Sequence, residues 1–142
     1  ECIMPDKFVI MVQKEVAYRL SAKVGSRDYG SLTVFLNYFY NINKLFDVSR
    51  NCFTPKPNVD SSIVLMELKE NRLEVLDMNV FKKLVRDSFL YKRKTIRNNL
   101  KGYNLEIVES VLKKYGFDLS VRAENLELEV FVDIANELVK FI

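Results

Sequence analysis

The sequence of 142 residues contains no histidine and no tryptophan, only two cysteines and only four glycines. Without histidine, catalysis by Ser-His or Cys-His pairs is excluded, and so are most zinc and iron sites, which need imidazole ligands. The two cysteines, Cys2 and Cys52, make neither a disulfide framework nor a metal cluster. Free thiols indicate a reducing, cytoplasmic setting. Long apolar runs are also missing, because stretches such as residues 8–12 are far too short to span a bilayer.

The few glycines exclude a further class of site. None of them is spaced as G-x-G, so the sequence contains no phosphate-binding or dinucleotide loop. Acidic pairs such as Glu67 and Glu70 flank polar surface, and we do not expect them to act as acid and base. With 49% hydrophobic and 29% charged residues, the composition is that of one globular domain or of two small ones.

Positive charge is concentrated in one segment. Residues 80–103 carry eight basic side chains and one acidic one, a net charge of +7, whereas the whole chain has a net charge of +3. A field of this density attracts a polyanion. The alternative is a solvated helix face, and charge alone does not decide between the two.

The first 70 residues predict a mixed α/β structure. The apolar, β-branched run at residues 8–12 predicts a strand buried on both faces of a sheet. Helical spacing follows over residues 14–22, and Ser31 is the expected N-cap of a second helix. Further strands are predicted at residues 41–48 and 62–68.

From residue 79 onward the apolar spacing is purely helical. The three predicted stripes are Phe81, Leu84, Val85, Ser88 and Phe89; Leu105, Val108, Val111, Leu112 and Tyr115; and Leu128, Phe131, Ile134, Ala135, Leu138 and Phe141. Gly116 is placed to end the second helix. The polar stretch 69–78 separates the two patterns, so we expect an α/β part at residues 1–72 followed by an all-α part at residues 73–142.

Two segments have compositions suited to binding. In residues 51–62, two prolines stiffen a loop that holds Phe53 at the edge of the sheet, where its ring is placed to stack on a planar ligand. A core phenylalanine that anchors the loop is the alternative. In residues 89–100, arginine and lysine are interleaved with Tyr91, Asn98 and Asn99. That mixture suits phosphate contacts with some base or sugar contact, as RNA binding requires.

Five sequence blocks, taken in order, are specific enough to suggest a family. They are M-V-Q-K-E-V-A at residues 11–17, Y-G-S-L-T-V at 29–34, F-x-P-K-P-x-V-D-S at 53–61, K-R-K-T-I-R-N-N-L at 92–100 and R-A-E-N-L at 122–126. Together they resemble the ribosomal RNA adenine dimethyltransferases, over residues 8–138. The resemblance implies a Rossmann-like methyltransferase domain followed by a small helical domain. It also implies S-adenosylmethionine as the methyl donor and two adjacent adenosines of small-subunit rRNA as the substrate.

The same resemblance implies that part of the family's enzyme lies outside this sequence. The family's glycine-rich cofactor loop, ribose-binding acid and Asn-Leu-Pro-Tyr catalytic motif all precede the block at 11–17, and no Asn-Leu here is followed by proline. We therefore expect the C-terminal part of such an enzyme, with the last three strands of its sheet, the whole helical domain, no cofactor site and no metal site. In the family's strand order, the strand at 61–68 is antiparallel to its neighbours at 7–13 and 41–48.

The resemblance also gives roles to individual residues. Phe53 matches the aromatic residue expected to stack on the flipped target adenine, the usual way to hold a base outside its stack. Lys56, together with Lys23 and Arg27, would flank the RNA entrance. The basic patch expected to grip rRNA phosphates consists of Lys92, Arg93, Lys94 and Arg97.

The resemblance implies a cytoplasmic enzyme of ribosome biogenesis that acts on small-subunit rRNA in the pre-30S particle, without a membrane partner and monomeric at full length. Two alternatives stay open: the related rRNA methylases that confer macrolide resistance, and a non-catalytic RNA-binding or ribosome-assembly module. A cut sheet leaves an apolar, unpaired edge at residues 8–12. We therefore expect this chain to self-associate, unless the edge frays or residues 1–6 cover it.

Overall fold

The computed structural model describes residues 4–141, so Cys2 and the other terminal residues lie outside the described part. In chain order the elements are β1 (Lys7–Gln13), α1 (Lys14–Leu20), α2 (Ser31–Phe39), β2 (Tyr40–Val48), β3 (Ser61–Leu68), α3 (Met78–Ser88), α4 (Ile96–Asn99), α5 (Leu105–Lys114) and α6 (Leu128–Lys140). Single turns of 3-10 helix lie at Arg50–Cys52 and Ala123–Asn125. Across this range, every helix is too short or too polar to cross a membrane.

The three strands form one antiparallel sheet in the order β1-β3-β2. In the middle of the sheet, Val64 of β3 lies opposite Ile10 of β1 on one side and Lys44 of β2 on the other. A bulge interrupts β2 between Lys44 and Phe46. The predicted strand order and strand directions are confirmed.

The two faces of the sheet differ in burial. Helices α1 and α2 cover one face, where Ala17 and Val64 are fully buried beside half-buried Ile10. On the other face, Val9 and Met11 are 56% and 52% exposed. The prediction that β1 is buried on both faces is therefore wrong for the chain as described, because no element within residues 4–141 packs on the side of Val9 and Met11.

The helical part has a closed core. Phe81 of α3, Leu112 of α5 and Phe131 of α6 are fully buried in one large cluster, as the predicted stripes require. Phe141 and Tyr115 are exceptions, 71% and 37% exposed, because α6 ends at Lys140 and α5 at Lys114, and each ring lies beyond the last turn of its helix. Val34 of α2 packs into the same cluster, so α2 contacts both the sheet and the helices. The division into residues 1–72 and 73–142 stays a prediction.

The start of α2 differs from the prediction. Gly30, not Ser31, is the N-cap. The hydroxyl of Thr33 accepts a hydrogen bond from the Gly30 N–H at 3.1 Å and donates one to the carbonyl oxygen of Arg19 at 2.5 Å. Thr33 is fully buried, so this hydroxyl ties the end of α1 to the start of α2 where a serine cap was expected.

Candidate nucleic-acid interface

The turn between α3 and α4 carries the basic patch and is held by one amide side chain. Asn99 accepts a hydrogen bond from the Tyr91 N–H at 3.2 Å. Its amide nitrogen donates to the carbonyl oxygens of Tyr91 at 3.1 Å and Ser88 at 2.9 Å. Because three backbone groups are bound by one side chain, the backbone of the turn is fixed where Lys92, Arg93 and Lys94 project from it.

Among the described residues, the cations of this turn form no ion pair, although Arg97 adds to the effect of the Ser120 hydrogen bonds in lowering the pKa of Asp118. Lys92, Arg93, Lys94 and Arg97 are all exposed. Within residues 4–141, none of them lies within 4.0 Å of a carboxylate oxygen. The segment is therefore a cluster of positive charge without ion pairs. This favours the binding of an anionic ligand over the alternative that the segment is only a solvated helix face.

Two distant sequence blocks meet beside this turn. The loop at residues 23–29 is joined to the R-A-E-N-L turn by the Gly25 N–H, which donates to the Glu124 carbonyl oxygen at 2.7 Å. The Tyr29 hydroxyl donates to the Leu126 carbonyl oxygen at 2.7 Å. Gly25 has a φ of +86°, a backbone conformation that favours glycine. Burial, with Glu127 nearby, raises the pKa of Tyr29 well above its ordinary value, so the hydroxyl keeps its proton.

The structure brings Lys92 and Arg27 together. The Lys92 ammonium donates a hydrogen bond to the Arg27 carbonyl oxygen. Both residues line a cleft of about 600 Å³, together with Arg19 and Phe89. Lys23 lies on the same loop as Arg27 and is exposed. Arg27 and Lys92 therefore share one surface, whereas Lys23 lines a separate depression with Lys69 and Glu127.

The Phe53 loop is a second, separate feature. Asp60 accepts hydrogen bonds from the backbone N–H and the Nε of Arg50 at 2.9 and 3.2 Å, and Arg50 also donates to the Asn58 carbonyl oxygen at 2.7 Å. The hydrogen bond from the Arg50 N–H, with help from its guanidinium, lowers the pKa of Asp60. Phe53 follows directly on this clamp, half-buried, and belongs to neither hydrophobic cluster. Its burial is not that of a core phenylalanine.

The predicted residues thus fall into two groups. Phe53 and exposed Lys56 lie on the loop before β3. The other six lie around the loop at 23–29 and the turn before α4: Lys23, Arg27, Lys92, Arg93, Lys94 and Arg97. Among the described residues, no hydrogen bond or ion pair joins the two groups. Whether they act on one substrate stays a prediction.

Three residues have supporting roles that the sequence did not indicate, although Asn99 was named there as a candidate base or sugar contact. Arg50 and Asp60 clamp the Phe53 loop, and Asn99 holds the basic turn. Asp60 and Asn99 lie within the quoted sequence blocks, so the family resemblance drew attention to their positions. Their hydrogen-bond partners could not be inferred, because polar residues in a loop have no regular spacing.

The described residues do not fit a nucleotide-like cofactor or a metal. A glycine-rich turn after a strand is the usual phosphate or adenosyl support. Here β1 passes directly into α1 at Gln13 and Lys14, without a glycine. Residues 4–141 also contain no cluster of three side chains able to ligate a metal.

Comparison with known proteins identifies the family. A family model described as ribosomal RNA adenine dimethylase matches residues 3–140. The chain belongs to this family. Among its curated relatives, ribosomal RNA small subunit methyltransferase A of Mycoplasma mobile is 43% identical over 133 residues, which cover 93% of this chain and 52% of that protein. The chain therefore spans about half the length of the curated relatives it matches.

Solved structures agree with this assignment. A dimethyladenosine transferase from Plasmodium falciparum is 28% identical with a TM-score of 0.77, and the match covers 95% of this chain and 57% of that chain. The 23S rRNA methyltransferase ErmE is 22% identical with a TM-score of 0.65, over 94% of this chain and 55% of that one, which shows a shared fold alone. The sheet and helices described above thus belong to the methyltransferase fold, and the family resemblance of the sequence is confirmed.

Proposed function

We propose that this chain supplies the rRNA-binding part of an S-adenosylmethionine-dependent enzyme that dimethylates adjacent adenosines of small-subunit rRNA. One observation carries the proposal: Lys92, Arg93, Lys94 and Arg97 form an exposed, uncompensated cationic cluster on a turn that Asn99 holds in place. Exposed cations on a rigid support suit the phosphates of a folded RNA. The curated relative from Mycoplasma mobile is a small-subunit rRNA methyltransferase, which gives the substrate class.

In this proposal the two groups of residues have different tasks. The cations around Arg27 and Lys92 hold rRNA phosphates and so set the register of the substrate. Phe53 stacks on the target adenine once the base has left its stack, a role that suits a half-buried ring on a clamped loop. Methyl transfer to an exocyclic amine depends on positioning more than on a strong base, so the lack of histidine is compatible with this chemistry.

The methyl donor is held elsewhere in this proposal. S-adenosylmethionine supplies the methyl group and binds to polypeptide that corresponds to the remaining length of the relatives. In this proposal a full-length, monomeric enzyme carries out the reaction on the pre-30S particle in the cytoplasm, as a step of ribosome biogenesis.

Titration of the present chain with S-adenosylmethionine in a calorimeter is expected to give no saturable heat. Micromolar binding would show that the donor site lies within these residues.

Charge neutralisation tests the proposed rRNA contact. The triple substitution Lys92→Gln, Arg93→Gln, Lys94→Gln is expected to weaken binding to a small-subunit rRNA fragment by roughly fivefold per lost phosphate contact at 0.1 M salt. The slope of log affinity against log salt should fall by about 1 per contact. Fluorescence anisotropy over a salt series measures both quantities.

The matched control removes the same net charge from another surface. Lys113→Gln, Lys114→Gln, Lys140→Gln takes three cations from the ends of α5 and α6, where each is paired with a carboxylate. This variant should bind RNA nearly as the parent does. Equal losses in the two variants would mean that only net charge matters, and no loss in either would remove the proposed rRNA contact.

The exposed thiol next to Phe53 offers a test of the second group. Cys52 is free and exposed. In a Cys2→Ser variant, bound small-subunit rRNA should slow the reaction of Cys52 with a maleimide, because RNA at Phe53 covers its neighbour. Unchanged reactivity at saturating RNA would place the Phe53 loop outside the RNA contact.

A further inference from the structure

A groove crosses the start of α2 and extends beyond the predicted RNA contacts. It consists of the cleft of about 600 Å³ that holds Arg27 and Lys92, and of a second depression of about 500 Å³ between α2 and α3. Ser31 and Leu32 line both depressions, so the two adjoin at the start of α2. The second depression contains none of the residues assigned above to RNA binding.

The walls of the groove are basic along its whole length. Arg19, Arg27 and Lys92 line the first depression, and Lys82, Lys83 and Arg86 line the second. Asp28 is the one acidic side chain among the lining residues, all of which lie in the described part of the chain. Lys83 and Arg86 share Asp87 at 2.8 and 3.7 Å, which leaves one unit of positive charge on that pair.

The floor of the second depression is apolar. Leu32 is 46% exposed and the Phe35 ring beside it is half-buried. The Lys82 ammonium lies over that ring, 5.2 Å from its centre. Basic walls over an apolar or aromatic floor are the combination that binds single-stranded nucleic acid, whose phosphates meet the cations while a base rests on the floor. A depression of this size accepts a small ligand or part of one strand and is too small for a duplex.

We propose that this groove binds a single-stranded segment of the RNA substrate, with Lys82 and Arg86 on its phosphates and Leu32 and Phe35 under one of its bases. The inference rests on the proposed function for the nature of the ligand and adds a contact surface on α2 and α3. RNA is chosen as the ligand because Lys92 lines the first depression. A strand held by the basic turn would therefore enter the groove there. An acidic peptide would pair with the basic side chains of the walls, but it would place no planar group against the Phe35 ring.

Two pairs of variants test the groove. Lys82→Gln, Arg86→Gln should weaken binding of a single-stranded small-subunit rRNA fragment by roughly fivefold per lost contact at 0.1 M salt and lower the salt slope. Lys113→Gln, Lys114→Gln, which removes two charges from α5, should have little effect.

Leu32→Ala should weaken binding roughly threefold to tenfold without changing the salt slope, because the lost contact is apolar. Leu73→Ala is its control, since Leu73 is 47% exposed and lies outside the groove. Thermal melting confirms that each variant is folded.

The outcomes separate this inference from the proposed function. If the groove variants bind as the parent does while the Lys92, Arg93, Lys94 triple variant loses affinity, RNA binding in the groove is refuted. The proposed rRNA contact of the basic turn is then still supported. If all variants retain affinity, the proposed function fails and the groove with it. If Lys82→Gln, Arg86→Gln binds weakly but Leu32→Ala binds like Leu73→Ala, or if a duplex competes as well as a single strand, the base contact is refuted.

Discussion

The helical part and the sheet of this chain bury their apolar residues to very different degrees. Helices α3, α5 and α6 enclose a large cluster in which residues such as Phe81 and Phe131 have no exposed surface. The sheet has a small buried cluster of Ala17, Tyr40, Val64 and Met66. Its other face shows apolar side chains such as Phe46, which is 57% exposed. The helical part therefore has a closed core, to which Val34 and Tyr38 of α2 also contribute, whereas the sheet, as described, is packed on one face.

The largest expected effect is in the helical core. Phe131→Ala removes a fully buried ring from the large cluster and should lower the free energy of unfolding by about 3–5 kcal/mol. Val9→Ala, on the exposed face of the sheet, should change it by less than about 0.5 kcal/mol. Urea denaturation followed by circular dichroism measures both. Similar losses would mean that the exposed face is covered in solution.

The hydrogen bond that joins the two regions should have the next largest effect. Tyr29→Phe removes the donor to the Leu126 carbonyl oxygen and leaves that buried oxygen unpaired, at a cost of about 1–3 kcal/mol. The loss should appear in the free energy of unfolding from urea titrations. A variant as stable as the parent would mean that water or another donor replaces the hydroxyl.

This tyrosine also predicts a pH dependence. Burial raises the pKa of Tyr29 in the folded chain above its ordinary value of 10.0, so the unfolded chain loses this proton first as the pH rises. The stabilisation is therefore complete below pH 10 and is lost progressively above it. Tyr29→Phe should reduce the fall in stability above pH 10. An unchanged alkaline profile would assign that fall to other groups.

The third prediction concerns the free edge of β1, where we propose that a second copy of this chain binds. The Asp6 carbonyl oxygen accepts a hydrogen bond from the Leu68 N–H at 2.7 Å, and the Pro5 carbonyl oxygen accepts one from the Tyr40 hydroxyl at 3.1 Å, so these residues before β1 lie on the side of β3 and not over the outer edge. Antiparallel pairing of two β1 strands about Ile10 would set Val9 opposite Met11 and Lys7 opposite Gln13. No like charges would face each other.

The other edge of the sheet is less suited to pairing. Symmetric pairing of two β2 strands about Lys44 would set two ammonium groups against each other, and the bulge after Lys44 interrupts the edge. The wild-type chain should therefore show a concentration-dependent sedimentation coefficient. Met11→Lys should raise the dissociation constant tenfold or more, whereas Phe46→Lys, on the far edge, should change it little. Larger loss in Phe46→Lys would indicate face-to-face packing of sheets, and a monodisperse parent would exclude association altogether.

The smallest effect is expected at Asn99. Asn99→Ala removes the three hydrogen bonds that hold the basic turn but leaves every cation in place. Affinity for small-subunit rRNA should fall roughly twofold to fivefold, because the turn must be ordered on binding. The salt slope should be unchanged, since the number of phosphate contacts is the same. A reduced slope would show instead that the turn loses a contact.

Much of this architecture could be predicted from residue patterns. The stripe on α3 and the antiparallel position of β3 follow from periodicity and from the family resemblance, because burial repeats regularly along an element. The cap at Gly30 and the short helix α4 could not be predicted, since each depends on a tertiary contact: Thr33 with Arg19, and the Ile96 N–H with the Val121 carbonyl oxygen at 2.8 Å.

The candidate site was less predictable than the fold. The exposure of cations such as Arg93 can be predicted from composition, because burying several like charges that are adjacent in sequence is energetically unfavourable. The clamp of Arg50 on Asp60 and the meeting of Arg27 with Lys92 depend on how loops far apart in sequence are folded together. Neither local propensity nor hydrophobic spacing contains that information.

The contact of Tyr29 with Leu126 spans 97 residues, and this separation constrains the order in which the chain acquires its structure during synthesis. The loop at residues 23–29 is synthesised before its partners at Glu124 and Leu126, which are added almost a hundred residues later. At about 5–20 residues per second, that delay is roughly 5–20 s. The loop that carries Arg27 can thus take its anchored conformation only after this delay, because both hydrogen bonds that hold it require residues 124–126.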